Sequence, residues 1–318
     1  MVNFLYCFDS NYNIQATLSM YSLLENVDKK IRIFIIHKDN NFLDSLSKKI
    51  VNHKNLESLQ VYKFDKKNIK FPNLNNNHIS EATYYRLYIT SYLPNDLSYI
   101  TYLDADTICT NNPTSHIIRV QNELENNKSI AVKTAMNRDA GTVALFDKLQ
   151  MSSNKYFNAG VMVINLDSWK KNITEDKVGD KMVLLADKIQ FWDQDILNSI
   201  VDGDYVELNS DLNYIISLDA NVLGNTKHEI KINDETPPQF IHYAGSNKPW
   251  TLEGIFASDS KYYQNYYKKV FRQKYHIEIK WKSHSVKFLV KNLKNRKILY
   301  IDHPFALVSI FIREVLKK

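Results

Sequence analysis

Residues 2–36 read VNFLYCFDSNYNIQATLSMYSLLENVDKKIRIFII. Val2 to Phe8 is a nearly continuous apolar run, as a strand buried on both faces requires. Asp9, Ser10, Asn11 and Tyr12 break the run. Ile14, Leu18, Tyr21 and Leu24 then recur at helical spacing, and Ile31 to Ile36 reads as a second buried strand. Farther on, Phe42, Leu46 and Ile50 predict a second helix and Leu59 to Phe64 a third strand. Strand, helix, strand, helix, strand predicts an α/β fold with a mostly parallel central sheet. Ligands in such sheets lie beyond the carboxyl ends of the strands, which makes Asp9 to Tyr12 a candidate binding edge.

A second such edge lies at YITYLDADT, residues 99–107. Its β-branched and aromatic residues favour a short buried strand that stops at two aspartates. Asp104 and Asp106 together form a hard-oxygen pair able to hold a divalent cation and, through it, a diphosphate. The bland alternative is a solvated acidic turn. Both edges are expected to open into one pocket.

Residues 65–80 are polar and irregular, and Glu81 to Leu93 reads as a helix. Ser129 to Lys133 predicts a short strand, and 134–155 is less regular. Phe157 to Leu166 is apolar and contains Ala159 and Gly160, where a glycine in a strand marks close approach of another group. Asp167 is expected to cap the next helix, Thr174 to Lys188 to form a longer one, and Asp193 to cap a helix starting near Phe191. Phe240 to Trp250 (FIHYAGSNKPW) reads as a strand running into a loop. His242 completes a plausible hard-metal set with the aspartate pair, although a histidine after an apolar pair is often structural. Gly245 and Lys248 offer backbone N–H groups and a positive charge to phosphate oxygens.

The chain has 318 residues, 44% hydrophobic and 24% charged, enough for one large domain or two smaller ones. Two cysteines, Cys7 and Cys109, exclude a disulfide framework and a cysteine metal site. The first residues lack the basic flank and cleavage site of a signal peptide, so a reducing, cytoplasmic location is expected. The net charge of +6 is unevenly spread. Residues 261–318 carry 15 Lys/Arg against 3 Asp/Glu, while residues 1–260 carry 26 against 32. An acidic body with a basic, aromatic tail is expected.

Six segments now stand in order: DSNY (9–12), HISEATYYRL (78–87), YLDAD (102–106), FNAGVMVIN (157–165), DQDILN (193–198) and HYAGSNKPW (242–250). In that order and spacing they resemble retaining glycosyltransferase family 8, which includes lipopolysaccharide galactosyl- and glucosyltransferases and glycogenin. The resemblance spans about residues 2–250 and implies a GT-A type domain for a nucleotide sugar. It implies that Phe8, Asp9, Asn11 and Tyr12 hold the uridine, with Tyr12 on the uracil ring. It assigns Asp104, Ala105 and Asp106 to the nucleotide and metal, with His242 as the third protein ligand of Mn²⁺ or Mg²⁺. Gly245 and Lys248 would hold the diphosphate, and Arg86, Asn158, Asp193 and Gln194 the donor sugar. Asp195, His78 and Lys133 are further candidates. The bland alternatives are a core aromatic for Tyr12, a surface ion pair for Arg86, a turn amide for Asn158 and a helix cap for Asp193.

The implied activity is transfer of galactose or glucose from a UDP-sugar to a cell-surface glycan, lipopolysaccharide core above all. A protein or glycoprotein acceptor, or a binding module without catalysis, is the alternative. The resemblance puts Gln194 at the family position that lies beneath the sugar, and an amide is a poor nucleophile, so front-face attack is expected. The segment TAMNRDA (134–140) matches no motif and leaves the acceptor open. The catalytic domain is expected over residues 1–255. Residues 256–318 are expected to form a basic, helical, aromatic tail, either docked on an anionic membrane at the inner face of the cell membrane or packed on the domain. A nucleic-acid partner is not expected, because charge alone supports it.

Overall fold

The computed structural model describes residues 2–316 apart from 40, 68, 73–79, 125–127, 219–231 and 280–281. His78 therefore lies outside the described residues. Ten strands are described: β1 (Asn3–Phe8), β2 (Ile31–His37), β3 (Leu56–Lys63), β4 (Tyr99–Leu103), β5 (Thr107–Cys109), β6 (Ile130–Asn137), β7 (Lys155–Asn165), β8 (Val206–Glu207), β9 (Tyr214–Ser217) and β10 (Phe240–Ala244).

Seven of them form one sheet in the order β3-β2-β1-β4-β7-β6-β8, and β5-β10-β9 form a second. β3, β2, β1 and β4 run parallel, whereas β7 is antiparallel to both β4 and β6. The mostly parallel α/β sheet read from the apolar runs is thus present. Alternation along β1 sends Leu5 and Cys7 into one buried cluster and Phe4, Tyr6 and Phe8 into the other. Both faces of the strand are covered, which is why its sequence is apolar throughout.

From β1 the chain proceeds to β2 and β3 on one side, while β4 pairs on the other, with Phe4 opposite Thr101 and Leu5 opposite Tyr102. Such a reversal of strand order opens a crevice at the carboxyl ends. Asp9 ends β1 and Asp104 ends β4, so both candidate edges face it.

Several elements differ from expectation. The helix expected over 42–50 is two single turns, Phe42–Ser45 and Lys48–Val51, because Leu46 is extended and the Ser47 side chain accepts from the Lys49 N–H to start the second turn. Glu81–Ser91 is a 3₁₀ helix kinked at Tyr88. Its tyrosines are fixed by stacking, Tyr85 on Phe64 at 3.9 Å and Tyr84 on Phe71 at 4.9 Å. β6 runs on to Asn137, and 143–148 is helical. Asn165, rather than Asp167, caps the following helix by accepting from the Ser168 N–H at 3.1 Å.

The tail begins inside the core. In the helix Lys261–Phe271, Tyr263, Tyr267 and Val270 are buried with Leu18, Ile241, Tyr243 and Trp250. The helices Lys282–Lys294 and Pro304–Leu316 enclose a smaller cluster with Leu252, Tyr275, Ile277, Leu289, Leu307 and Phe311. Among the described residues no helix is long and apolar enough to cross a membrane.

Candidate active site

The turn after β4 is held by its own backbone. The Asp104 N–H donates to Gly160 O at 2.8 Å, and Thr107 Oγ1 donates to Asp104 O at 2.8 Å. β5 then pairs antiparallel with β10, with Thr107 opposite His242. That register carries the imidazole over the aspartate pair. His242 Nε2 lies 3.5 Å from Asp106 Oδ1 and 3.8 Å from Asp104 Oδ2, and one ligand atom from each of the three residues falls within 4.8 Å of the others.

Gly160 explains the close approach expected in β7. A Cβ there would lie 2.1 Å from His242 Cε1, so the space a side chain would fill belongs to the imidazole. Gly160→Ala is expected to push His242 off the aspartates, at a cost of about 1–3 kcal/mol of stability. Chemical denaturation and Mn²⁺ titration check this; unchanged values for both would count against it.

The donor set fits a divalent cation. Asp106 Oδ2 accepts from Lys248 Nζ at 2.7 Å, and that ammonium also donates to Tyr243 O at 2.6 Å. Asp106 Oδ1 is buried with no hydrogen-bond partner among the described residues, a costly state for a carboxylate oxygen unless a cation meets it. Burial pushes the Asp106 carboxyl up, but Lys248 and His242 prevail and hold it below the ordinary value. Burial pushes the His242 imidazole down, and Lys248 and Arg86 add to that against the pull of Asp106 and Asp104. A neutral imidazole beside two carboxylates is a hard, mixed oxygen–nitrogen set suited to Mn²⁺ or Mg²⁺.

Arg86 is buried and is not a surface ion pair. Its Nε lies 2.6 Å from Asp193 Oδ2, its Nη1 lies 3.1 Å from Asp104 Oδ1, and Nη1 donates to Ala159 O at 2.7 Å. Asp193 does not cap its helix, Trp192–Val201. Its side chain accepts from Thr83 Oγ1 and faces Arg86. Burial raises the Asp193 carboxyl to about 6 despite Arg86.

Asn158 and Gln194 meet beside this group. Asn158 Oδ1 accepts from the Gly160 N–H at 3.0 Å, and Gln194 Oε1 accepts from the Ala159 N–H at 2.9 Å and from Asn158 Nδ2 at 3.3 Å. Asp195 is buried; it accepts from Tyr156 Oη at 2.5 Å and from the Gln190 and Phe191 N–H groups at 2.6 and 2.8 Å. These bonds make Asp195 a brace for the helix start. Lys133 stands opposite Asn158 in the β6–β7 ladder and pairs with Glu207 at 3.5 Å.

At the β1 end, Asp9 accepts from the Asn11 N–H at 3.0 Å and from Ser80 Oγ. Phe8 is buried edge-on to Phe42, and Ala105 is buried in the turn between the two aspartates. Tyr12 is half-buried and edge-on to Trp250 at 6.1 Å. Burial, then Asp106, Glu278, Asp104 and Asp9, push its phenol up, which places it in the field of both strand ends. Gly245 takes the left-handed backbone (φ 89°) that glycine favours.

A family model, Glycosyl transferase family 8, matches residues 3–254. The chain belongs to glycosyl transferase family 8. Among family relatives, a lipopolysaccharide 1,2-glucosyltransferase of Escherichia coli is 30% identical over 269 residues, covering 81% of this chain and 76% of that protein. General stress protein A of Bacillus subtilis (strain 168) is 25% identical over 260 residues, 77% of this chain and 85% of that protein. The solved structure of the galactosyltransferase LgtC, in complex with donor and acceptor sugar analogs, superposes with a TM-score of 0.70 at 21% identity, covering 85% of this chain and 96% of that one. GlyE of Streptococcus pneumoniae TIGR4 superposes with 0.57 at 20% identity, covering 78% and 56%. The fold is GT-A, and the protein is a glycosyltransferase.

Residues with no sequence signal of their own also line the site. Thr83 and Tyr102 bond Asp193 and Asp104, the latter at 2.6 Å. Asn213 reaches His242 from a 3₁₀ turn far from the six segments. Position within a motif could have suggested Thr83 and Tyr102; nothing local marks Asn213.

Proposed function

We propose that this glycosyltransferase moves a hexose, galactose or glucose, from a UDP-sugar to a cell-surface glycan with retention of configuration. The observation that carries this reading is the unpartnered Asp106 Oδ1 facing His242 Nε2 beside Asp104, with Lys248 on the other carboxylate oxygen. Asp104, Asp106 and His242 would hold Mn²⁺ or Mg²⁺, which when bound stabilises the negative charge of the departing diphosphate. Lys248 and the backbone at Gly245 add positive field to the same oxygens. Asp9, Asn11 and Tyr12, with the Phe8 and Ala105 backbone, would hold the nucleoside. Asp193, Asn158 and Arg86 line the sugar side.

Gln194 stands beneath the sugar as an amide already engaged by the Ala159 N–H, which supports front-face attack with the leaving phosphate taking the acceptor's proton. Gln194→Ala is then expected to keep turnover within about tenfold, since a lost nucleophile would cost far more. A fall of several orders of magnitude, read by UDP release, would reverse that assignment.

The acceptor is proposed to be lipid-linked, of the lipopolysaccharide-core kind, reached from the inner face of the membrane. Supporting this, Phe305, Ile312 and Leu316 project from one side of the last helix, with Phe305 89% exposed, and the tail is strongly basic. Removing 261–318 is a poor test because Tyr263 and Tyr267 belong to the core. Serine at 305, 312 and 316 together is expected to weaken binding to phosphatidylglycerol vesicles about tenfold or more without loss of folding; unchanged binding would refute the membrane role. The function itself is tested by UDP release across a panel of UDP-sugars with Mn²⁺. No metal-dependent release from any of them would sink the reading.

A further inference from the structure

The hydrogen bonds around Asn158 allow the orientation of each side-chain amide to be deduced. A backbone N–H can only donate. The Gly160 N–H meets one atom of Asn158 at 3.0 Å, so that atom is the oxygen and Nδ2 is turned toward Gln194. The Ala159 N–H meets one atom of Gln194 at 2.9 Å, so that atom too is an oxygen, matched to Asn158 Nδ2. Asn213 lies 3.0 Å from Asn158 Oδ1 and must present its Nδ2 there. Its Oδ1 then faces His242 Nδ1 at 3.2 Å. An acceptor at that point requires Nδ1 to carry the ring proton, which leaves the Nε2 lone pair aimed at Asp106 Oδ1 and Asp104 Oδ2.

Two backbone N–H groups thus set the tautomer of an imidazole through three amides, Gln194, Asn158 and Asn213. Asn213 is buried, ends the turn Ser210–Asn213 and leads into β9, whose parallel pairing beside β10 holds it against His242. We infer that Asn213 is a positioning residue: it fixes His242 as an Nε2 ligand and ties that ligand to the amides Asn158 and Gln194 on the sugar side. The inference rests on the proposed cation site at Asp104, Asp106 and His242. Bonds to the far nitrogen of a ligating histidine commonly change metal affinity or activity 10- to 100-fold.

The full-length protein, labelled with ¹⁵N-histidine and free of metal, provides the first measurement. His242, assigned by the signal lost in His242→Gln, is expected to be the Nδ1–H tautomer; an Nε2–H tautomer overturns the inference at once. Asn213→Ala is expected to lose that tautomer and to bind Mn²⁺ at least about tenfold more weakly by electron paramagnetic resonance. Asn213→Asp keeps the acceptor toward His242 but not the donor toward Asn158. It is expected to keep the tautomer and Mn²⁺ binding while losing turnover, a division that a merely structural role would not produce. Wild-type tautomer and Mn²⁺ affinity in Asn213→Ala would overturn the inference while leaving the cation site intact. A wild-type protein that takes up no Mn²⁺ would sink the cation site, and this inference with it. If Asn213→Ala does not fold, the wild-type tautomer and Asn213→Asp still decide.

Discussion

Asp106→Asn is expected to lower metal-dependent turnover by about a thousandfold while the protein remains folded. The substitution keeps the shape of the side chain but removes the charge that faces both Lys248 and His242. The oxygen that has no hydrogen-bond partner among the described residues is the one that would meet the cation, and an electrostatic contribution of several kcal/mol at the leaving group corresponds to about three orders of magnitude. Lys248 loses its counter-charge too, so its ammonium is less well held for the diphosphate. The measurements are UDP release at saturating donor and Mn²⁺ binding to the same preparation. Turnover within tenfold of wild type would remove Asp106 from the candidate site.

Arg86→Met is expected to have the largest effect on stability, about 3–5 kcal/mol, because it leaves Asp193 and part of Asp104 as buried charges without their cation. For a chain of this length that is a fall in melting temperature of roughly 5 °C. Turnover should fall as well, since the guanidinium bridges Asp104, Asp193 and Ala159 O. A variant that melts within a degree of wild type would contradict this.

The Asp193 carboxyl gives the same cluster a pH signature. Its folded value of about 6 is raised from 3.8, so the native state binds more protons than the unfolded state between those values. Its contribution is therefore fully present below about pH 4 and is lost as pH rises through about 6, a change of about 3 kcal/mol. Asp193→Asn removes the titration, and denaturation midpoints measured from pH 4 to 7 should lose that part of their slope. An identical slope in the variant would place the titration elsewhere.

Much of this architecture is written in local pattern. The apolar runs at Val2–Phe8 and Ile31–Ile36 announce strands covered on both faces, and the polar break after the first marks where the crevice opens. The helix over 42–50 was less legible, because Ser47 offers the backbone a local cap that periodicity does not register. For Asp193 the sequence offered a sugar-lining role or a helix cap, and the structure removes only the cap. A carboxylate at a helix start has the signature of a cap, and only the packing of the 3₁₀ helix Glu81–Ser91 against Trp192–Val201 brings Arg86 to it. The tail likewise divides in three dimensions: the spacing that turns Tyr263 and Tyr267 inward and leaves Phe305 outward depends on what lies beside each helix.

The alternation of strands and helices in the first part of the chain, the aspartate pair after β4 and family membership follow from sequence, because short-range patterns and six ordered segments carry them. The tertiary structure alone decided the distances at which His242 meets Asp104 and Asp106, that the group approaching Gly160 is this imidazole, and that Asn213 closes the network behind it. Each of these depends on residues tens to more than a hundred positions apart being brought within a few ångströms by β5, β9 and β10. No local propensity encodes a distance of that kind.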